Sequence, residues 1–413
     1  MSKQIGLGVL CAVLMSGTAF AQSAPKVEVL HWLTAGAESA AIKVLADGVT
    51  ARGGEWVDVA TPGGGSDARA LLATGLAGGN PAGVSFLGMG TETAELAAQG
   101  VMRDIGGYAR EKGYLDSVPD YALAMGTDGT DDAAIYALPV AFETQNFMWY
   151  SKPVYAAAGL TPPTTWDEFL AQAPKLREAG FIPLAMGAQA WQINLLFNAI
   201  VLGEGAPYYD RLFVTHDETA TTAPELVDAF RILRELSKLT DDGAPNRSWN
   251  DTLNLVAEGR AALQVMGSWA GAELGNMGKV YDTDWGCALS PGSPIVMVGA
   301  TGFQFPKLNT PDGEAGQDIF IDTMMDPVVQ TAFSVQKGSI PARTDADISG
   351  LSACSQLAAE AVRDGKGAPY TTGVLGSEVR GLLTDYLNNF WANGSITPED
   401  GAAEYGRILS ANS

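Results

Sequence analysis

The feature that most constrains this chain is a repeated alternation of short strand-like segments with helix-like segments. Val27–Trp32 is a continuous apolar run typical of a buried strand, and Glu38–Thr50 carries apolar residues at helical spacing. Trp56–Ala60 is strand-like again, Ala68–Leu76 helical and Ala82–Leu87 strand-like. Such units predict an α/β fold with a mostly parallel sheet flanked by helices. Ligands bind such sheets at the carboxyl ends of the strands.

The rhythm changes after about residue 134. Ala134–Leu138 and Phe147–Ser151 are extended segments joined by the polar stretch Glu143–Asn146, which indicates a crossover between two lobes. The sequence becomes strand-like again from Cys287 to Pro306, which indicates a return to the first sheet. We therefore expect a two-lobed fold with a hinge between the lobes. The first lobe is predicted at 22–140 plus about 295–345, and the second at 141–294 plus about 346–413.

Several later segments have helical patterns. Thr165 is placed to cap a helix, with Glu168 completing a capping box. The other predicted helices are 192–201, 224–239, 253–263, 357–363, 375–390 and 398–409.

Residues 1–21 have the features of a secretory signal peptide. Lys3 precedes the apolar run Ile5–Leu14, which is shorter than the roughly 20 residues that a membrane helix needs. Small residues in Ala19–Ala21 predict cleavage after Ala21 and a periplasmic protein. The alternative is a buried N-terminal strand or helix.

Charge and composition exclude several function classes. The 25 Lys and Arg residues face 47 Asp and Glu residues, so the net charge of −22 opposes binding to nucleic acid or to an anionic membrane. With only His31 and His216, and three cysteines, a His- or Cys-based metal site is not expected, nor is a cofactor. The chain has no G-x-S-x-G, H-E-x-x-H or phosphate-loop motif. An exported enzyme that uses paired carboxylates stays open as an alternative, because acidic residues are abundant.

Two cysteines, Cys287 and Cys354, fall in the part of the chain that would be exported. An oxidising compartment permits one bridge between them, worth about 3–4 kcal/mol in the chain-entropy model. The alternative is two separate buried thiols.

Tryptophans with polar neighbours are the clearest candidates for a binding site. Indole faces stack on the C–H face of a pyranose, while carboxylates and amides bond its hydroxyl groups. Such a set could also bind a cationic solute through cation–π contacts. The alternative is that each indole only fills the core. The candidates are His31-Trp32, Trp191-Gln192, Trp249 and Trp269.

A series of motifs along the chain resembles one known family. The chain resembles the periplasmic sugar-binding proteins of ABC importers (extracellular solute-binding protein family 1), in the glucose/mannose-binding branch. The resemblance extends over essentially the whole chain after the signal peptide. The motifs are VLHWLT at 29–34 followed by Glu38, GGNPAGV at 78–84, FMWY at 147–150, PTTWDE at 163–168, QAWQ at 189–192, GRAA at 259–262, MGSWA at 266–270 and KGSIPAR at 337–343.

The resemblance implies a set of ligand contacts. Trp32 and Trp269 would face the sugar ring, and Glu38 would accept hydrogen bonds from its hydroxyl groups. Trp191, Gln192 and Trp249 would lie nearby, and Lys337 would reach in from the loop after its helix. Thr301 and Thr371 are further candidate ligand contacts. It also implies a Cys287–Cys354 bridge, because both cysteines fall where the branch has them.

Departures from the branch pattern affect the choice of ligand. Leu33 replaces a second Trp, Leu87 a ligand-contacting Lys, and Thr301 an Asp, while a C-terminal His has no counterpart. Each lost buried partner would leave a hydroxyl short of a bond, at a cost of about 1–3 kcal/mol. We therefore expect a modified sugar, a sugar alcohol or a glycoside rather than plain glucose. Candidates for contacting an acidic group are Arg69, Lys337 and Arg343.

The family resemblance also implies how the protein works. We expect a monomer that closes around a small carbohydrate and hands it to the membrane subunits of an ABC permease, without catalysis.

Overall fold

The computed structural model describes residues 24–411 except 63, 130–133, 188 and 365. The predicted signal peptide and its cleavage site lie outside the described residues. Within them, no helix combines the length and the apolar character that crossing a membrane requires.

The strands of the described chain form two sheets. In chain order they are β1 Lys26–His31, β2 Glu55–Ala60, β3 Val84–Gly88, β4 Ala137–Thr144, β5 Phe147–Ser151, β6 Ile182–Leu184, β7 Ala261–Met266, β8 Trp285–Leu289, β9 Val296–Gln304, β10 Ile340–Pro341 and β11 Gly367–Pro369. The larger sheet has the order β10-β4-β9-β3-β1-β2, with β11 paired to β9, and the smaller sheet has the order β6-β7-β5-β8.

Both sheets are mixed, so the prediction of mostly parallel sheets is wrong. In the larger sheet β1 runs parallel to β2 and β3, but β9 is antiparallel to both β3 and β4. In the smaller sheet β5 is antiparallel to β7 and β8, and only β6 and β7 are parallel. The physical reason is that β9 enters the larger sheet on its way back from the smaller one and runs against β3 and β4, although it is parallel to β11. The α/β prediction itself is confirmed.

Helices cover the faces of both sheets. In chain order they are α1 Gly36–Ala51, α2 Gly65–Ala77, α3 Thr91–Ala98, α4 Gly106–Glu111, α5 Asp120–Ala124, α6 Lys152–Ala158, α7 Trp166–Glu178, α8 Ala190–Gly203, α9 Ala206–Phe213, α10 Pro224–Ser237, α11 Trp249–Ala257, α12 Trp269–Asn276, α13 Pro311–Met324, α14 Pro327–Lys337, α15 Ala353–Arg363, α16 Ser377–Ala392 and α17 Pro398–Ala411. Short 3₁₀ helices span Leu115–Ser117, Glu218–Thr222, Ala244–Asn246 and Thr371–Gly373.

The predicted helix over 253–263 ends too late. Helix α11 stops at Ala257 and strand β7 begins at Ala261. Gly259 has a φ of 68°, a left-handed conformation that glycine adopts readily and that ends helices. The helix start at Thr165 is confirmed, because the Thr165 side chain accepts a hydrogen bond from the backbone N–H of Glu168.

Each sheet has its own aromatic packing. Beside the larger sheet, Phe303 lies 5.2 Å from Phe86 and 4.5 Å from Phe320 between ring centroids. Among the helices beside the smaller sheet, Phe197 and Phe230 are 4.8 Å apart. Their burial supplies much of the hydrophobic stabilisation of the two lobes.

The chain passes from the larger to the smaller sheet between β4 and β5, within the predicted crossover stretch. The Asn146 side chain ties this passage to the return from β8 to β9. Its Oδ1 accepts from Met297 N at 2.7 Å, and its Nδ2 donates to Ile295 O at 3.0 Å. Strand β11 lies in the larger sheet, although its residues fall in the range predicted for the second lobe.

Candidate functional site

The carboxyl end of β1 places Trp32 at the edge of the larger sheet. Trp32 is half-buried and packs against Phe86, with ring centroids 4.9 Å apart. The preceding His31 is buried: its Nδ1 accepts from Leu33 N at 3.2 Å, and its Nε2 donates to Asp58 Oδ1 at 2.6 Å. Because both ring nitrogens are engaged, His31 fixes the end of the strand and has no nitrogen free for a solute.

A buried ion cluster joins three elements of the larger-sheet side. Lys337, the last residue of α14, lies 3.2 Å from Glu38 of α1 and 2.9 Å from Glu143 of β4. Burial raises the pKa of Glu38, and the Lys337 ammonium offsets part of that rise. Burial alone would lower the pKa of Lys337, but the two carboxylates raise it, so the ammonium stays charged. Two carboxylates around one ammonium leave an excess of acceptor atoms.

An indole from the smaller-sheet side covers this cluster. The Lys337 ammonium lies 4.8 Å from the ring centroid of Trp269, the first residue of α12. The Trp191 and Trp249 rings lie 6.2 and 6.4 Å from that of Trp269. The structure therefore brings together four residues predicted from the sequence, namely Trp191, Trp249, Trp269 and Lys337. Glu38 joins this group because it is bound to Lys337. The cation–π contact spans elements associated with different sheets.

The three indoles of this group are positioned by helix starts. Trp191, Trp249 and Trp269 lie in the first turns of α8, α11 and α12. Gln189 connects two of these turns, because its Oε1 accepts from Trp249 N at 2.8 Å and from Gln192 Nε2 at 3.0 Å. Because the indoles lie on helices and not on loops, their arrangement is preorganised.

Several buried polar atoms in this region have no hydrogen-bond partner among the residues that the structure describes. They are Trp269 Nε1, Gln192 Oε1, Asn198 Oδ1 and Thr144 Oγ1. An unpaired buried donor or acceptor costs about 1–3 kcal/mol, so such atoms mark places where a polar solute would supply the partner.

Two threonines predicted to contact the ligand lie on other elements, Thr301 on β9 and Thr371 at the start of a short 3₁₀ helix. Thr301 pairs with Gly88 at the end of β3, and its hydroxyl donates to Ala141 O at 3.4 Å. Thr371 accepts from Asn198 Nδ2 at 3.5 Å, which places it against α8.

A second ion cluster beside Trp32 was largely missed by sequence reasoning. Arg69 of α2 binds both oxygens of Glu92 in α3, at 2.5 and 3.0 Å, and its guanidinium carbon lies 6.0 Å from the Trp32 ring centroid. Arg380 of α16 approaches the same carboxylate at 3.9 Å. No local pattern links these three positions, so only the fold could reveal them.

The other cations predicted for an acidic ligand are already bound. Lys337 forms ion pairs with two carboxylates. Arg343 pairs with Asp345 and donates a hydrogen bond to Met325 O at 2.8 Å. Within the described residues, no group of three or more His, Cys, Asp or Glu side chains is arranged to hold a metal ion.

The predicted disulfide is confirmed. Cys287 of β8 and Cys354 of α15 are bonded, with their Cα atoms 6.4 Å apart. The bridge ties α15 to the smaller sheet.

Known proteins are similar to this chain in both sequence and fold. The family model for bacterial extracellular solute-binding proteins matches residues 40–306. A "probable sugar-binding periplasmic protein" of Rhizobium meliloti (strain 1021) is 33% identical over 359 residues, which cover 86% of this chain and 85% of the relative. A protein of the same description from Brucella suis biovar 1 (strain 1330) is 32% identical over 417 residues, which cover 97% of each chain.

A solved structure has the same architecture. A chitin oligosaccharide binding protein superposes with a TM-score of 0.79 at 22% identity, covering 94% of this chain and 98% of that one. At this identity the likeness establishes the fold, and the sequence matches establish the family. The chain therefore belongs to the bacterial extracellular solute-binding protein family.

Proposed function

We propose that this solute-binding protein captures a carbohydrate between its two lobes and delivers it to the membrane subunits of an ABC importer in the periplasm. The observation that carries the proposal is the contact of Trp269 with Lys337, which is itself bound to Glu38. Aromatic surface and hydrogen-bonding groups from elements of both sheets meet at this one place.

The chemistry of the cluster suits a sugar. Indole faces bind the apolar C–H surface of a pyranose, and its hydroxyl groups can donate to Glu38 or accept from Trp269 Nε1. Gln192 Oε1 is a further acceptor that has no partner among the described residues. The names of the relatives from Rhizobium and Brucella support the same class of solute.

Delivery follows from hinged closure. A solute that contacts both lobes stabilises the closed form in proportion to its difference in affinity for the closed and open forms, and a permease can recognise that form. We propose the lobe limits given above, except that β11 joins the first lobe, together with cleavage after Ala21 and a monomeric shuttle. Membership of the glucose/mannose branch stays a prediction.

The solute is proposed to differ from plain glucose. Leu33, Leu87 and Thr301 stand where the resemblance implies polar or aromatic contacts, and the first two are buried apolar side chains here. A modified sugar, a sugar alcohol or a glycoside is the proposed class.

A thermal-shift screen tests the proposal. Neutral mono- and disaccharides, sugar alcohols and acidic sugars are added to the full chain, and a binder at 100 times its Kd should stabilise by about 2.7 kcal/mol. Calorimetry then compares the parent with Trp269→Ala and Trp32→Ala, and with Trp391→Phe as a control indole on α16. We expect both alanine variants to bind at least tenfold more weakly and the control to bind like the parent. Equal binding by all four proteins would overturn the site.

One observation favours an enzyme as the competing function. Glu38 and Glu143 form a buried pair of carboxylates that share Lys337, and glycoside hydrolysis uses two carboxyl groups. Incubation with each binding sugar, followed by mass analysis, separates the two functions. Recovery of unaltered sugar supports transport, whereas turnover abolished by Glu38→Gln supports the enzyme.

A further inference from the structure

Two guanidinium groups meet at a buried carboxylate beside Trp32. Glu92 is 5% exposed, Arg69 binds both of its oxygens, and Arg380 adds a second guanidinium at 3.9 Å. The neighbouring Glu95 carboxylate also acts on Arg380, so the two arginines face two carboxylates, but the ion pair of Arg380 with Glu92 is long. A buried guanidinium held by a long ion pair gains from a closer anion, which a solute could supply.

Arg380 is the unsatisfied member of this cluster. Its side chain is 13% exposed, its Nε has no hydrogen-bond partner, and its guanidinium makes no hydrogen bond to any described residue. Burial lowers its pKa, which expresses the same cost. Arg234 provides the contrast, because its buried Nη2 donates to three backbone carbonyls at 2.7, 2.9 and 3.1 Å.

The cluster lies at the strand ends where solutes bind. A Cβ added to Gly88, the last residue of β3, would lie 3.6 Å from Glu92 Oε2. On the other side, Arg69 stands against the ring of Trp32, which follows β1. Strands β1 and β3 are parallel neighbours, so both contacts are at one edge of the larger sheet.

The two arginines come from different lobes. Arg69 is on α2, which packs against β1 and β3, whereas Arg380 is on α16, which packs against α8 and α17. In the structure the two guanidinium groups meet at the Glu92 carboxylate, and Arg69 lies beside Trp32.

We propose that the solute carries an anionic group, and that Arg69 and Arg380 bind it when the lobes close. This inference rests on the proposed carbohydrate function and specifies its substrate class as an acidic sugar. A guanidinium fork matches the two oxygens of a carboxylate, and a ring stacked on Trp32 would direct an exocyclic carboxylate toward Arg69. A sugar phosphate offers the same kind of oxygens.

The test compares acidic sugars with their neutral counterparts. Calorimetry measures the Kd of D-glucuronate, D-galacturonate and D-glucose 6-phosphate against D-glucose and D-galactose. We expect at least one acidic sugar to bind tenfold or more tightly than its neutral counterpart. The preference for the carboxylates or for the phosphate identifies the group.

Variants at Arg380 assign the preference to this cluster. Arg380→Gln should reduce the ratio of acidic to neutral affinity by tenfold or more, Arg380→Lys should restore part of it, and the exposed control Arg110→Gln should keep the parent ratio. Circular dichroism establishes that each variant is folded. A preserved ratio in Arg380→Gln, or neutral sugars that bind as tightly as acidic ones, would overturn the inference.

The outcomes also separate this inference from the proposed function. If neutral sugars bind and acidic ones do not, the anion site is wrong and the carbohydrate function stands. If no sugar of either kind binds, the carbohydrate function itself fails, and the inference with it.

Discussion

The carboxylate of Glu273 accepts a hydrogen bond from the backbone N–H of Ala37, with Glu273 Oε2 and Ala37 N 2.8 Å apart. Glu273 lies on α12, between two strands of the smaller sheet, and Ala37 lies in the first turn of α1, between two strands of the larger sheet. A carboxylate at a helix N-terminus satisfies a free N–H and interacts favourably with the helix dipole. Gly36 permits the close approach of α12, since a Cβ there would lie 2.3 Å from Asn276 Nδ2 and 3.2 Å from Glu273 Oε1.

This contact should favour the closed form of the protein. Glu273→Gln retains an acceptor but removes the charge, so we expect solute affinity to fall about three- to tenfold, corresponding to roughly 1 kcal/mol of helix-terminus interaction. Calorimetry measures the affinity, and small-angle scattering should show a larger radius of gyration for the variant without solute. Glu178→Gln, an exposed glutamate on α7, is the control. Unchanged affinity and radius in Glu273→Gln would contradict the prediction.

Lys337 should be essential for stability because it neutralises two buried carboxylates. Replacing it in Lys337→Met leaves Glu38 and Glu143 without their cation, and breaking a buried pair in this way costs about 3–5 kcal/mol. Urea unfolding measures the loss. The triple variant Glu38→Gln, Glu143→Gln, Lys337→Met should recover part of it, and a triple variant no more stable than Lys337→Met would argue against a charge effect.

The Cys287–Cys354 bridge should stabilise the chain mainly through the unfolded state. It joins residues 67 apart in sequence, so its removal frees a long loop in the unfolded ensemble. We expect the double variant Cys287→Ser, Cys354→Ser to lose about 2–4 kcal/mol of unfolding free energy. Denaturant unfolding measures the loss, with the reduced parent as the comparison. A reduced parent as stable as the oxidised one would refute this account.

Glu204 should make stability depend on pH. Burial and the neighbouring Asp228 raise the pKa of Glu204 from 4.5 to about 7. Between these values the native chain binds more protons than the unfolded chain, so stability falls as the pH rises from about 4.5 through about 7. In Glu204→Gln this contribution is absent, and we expect a smaller decrease in Tm between about pH 5 and about pH 8. The exposed control Glu111→Gln should match the parent, and an identical decrease in all three proteins would contradict the assignment.

More of the fold than of the candidate site could be predicted from the sequence. Periodicity located most helices and strands, and the Thr165–Glu168 cap was readable because both residues lie within one helical turn. Strand direction was not readable: β9 is antiparallel to β3 because of the path that the chain takes through the smaller sheet. The end of α11 was misjudged because apolar spacing continues past Gly259 into β7.

The sequence by itself determined the family, the Cys pair and the indoles Trp191, Trp249 and Trp269, because these are properties of residue types and of short spacings. Only the tertiary structure decided that Lys337 lies between Glu38 and Glu143, and that Arg380 reaches the Glu92 carboxylate. Side chains far apart in the chain meet only through the packing of whole elements, and no local pattern encodes that packing. Charge compensation in the cleft is therefore a property of the folded chain.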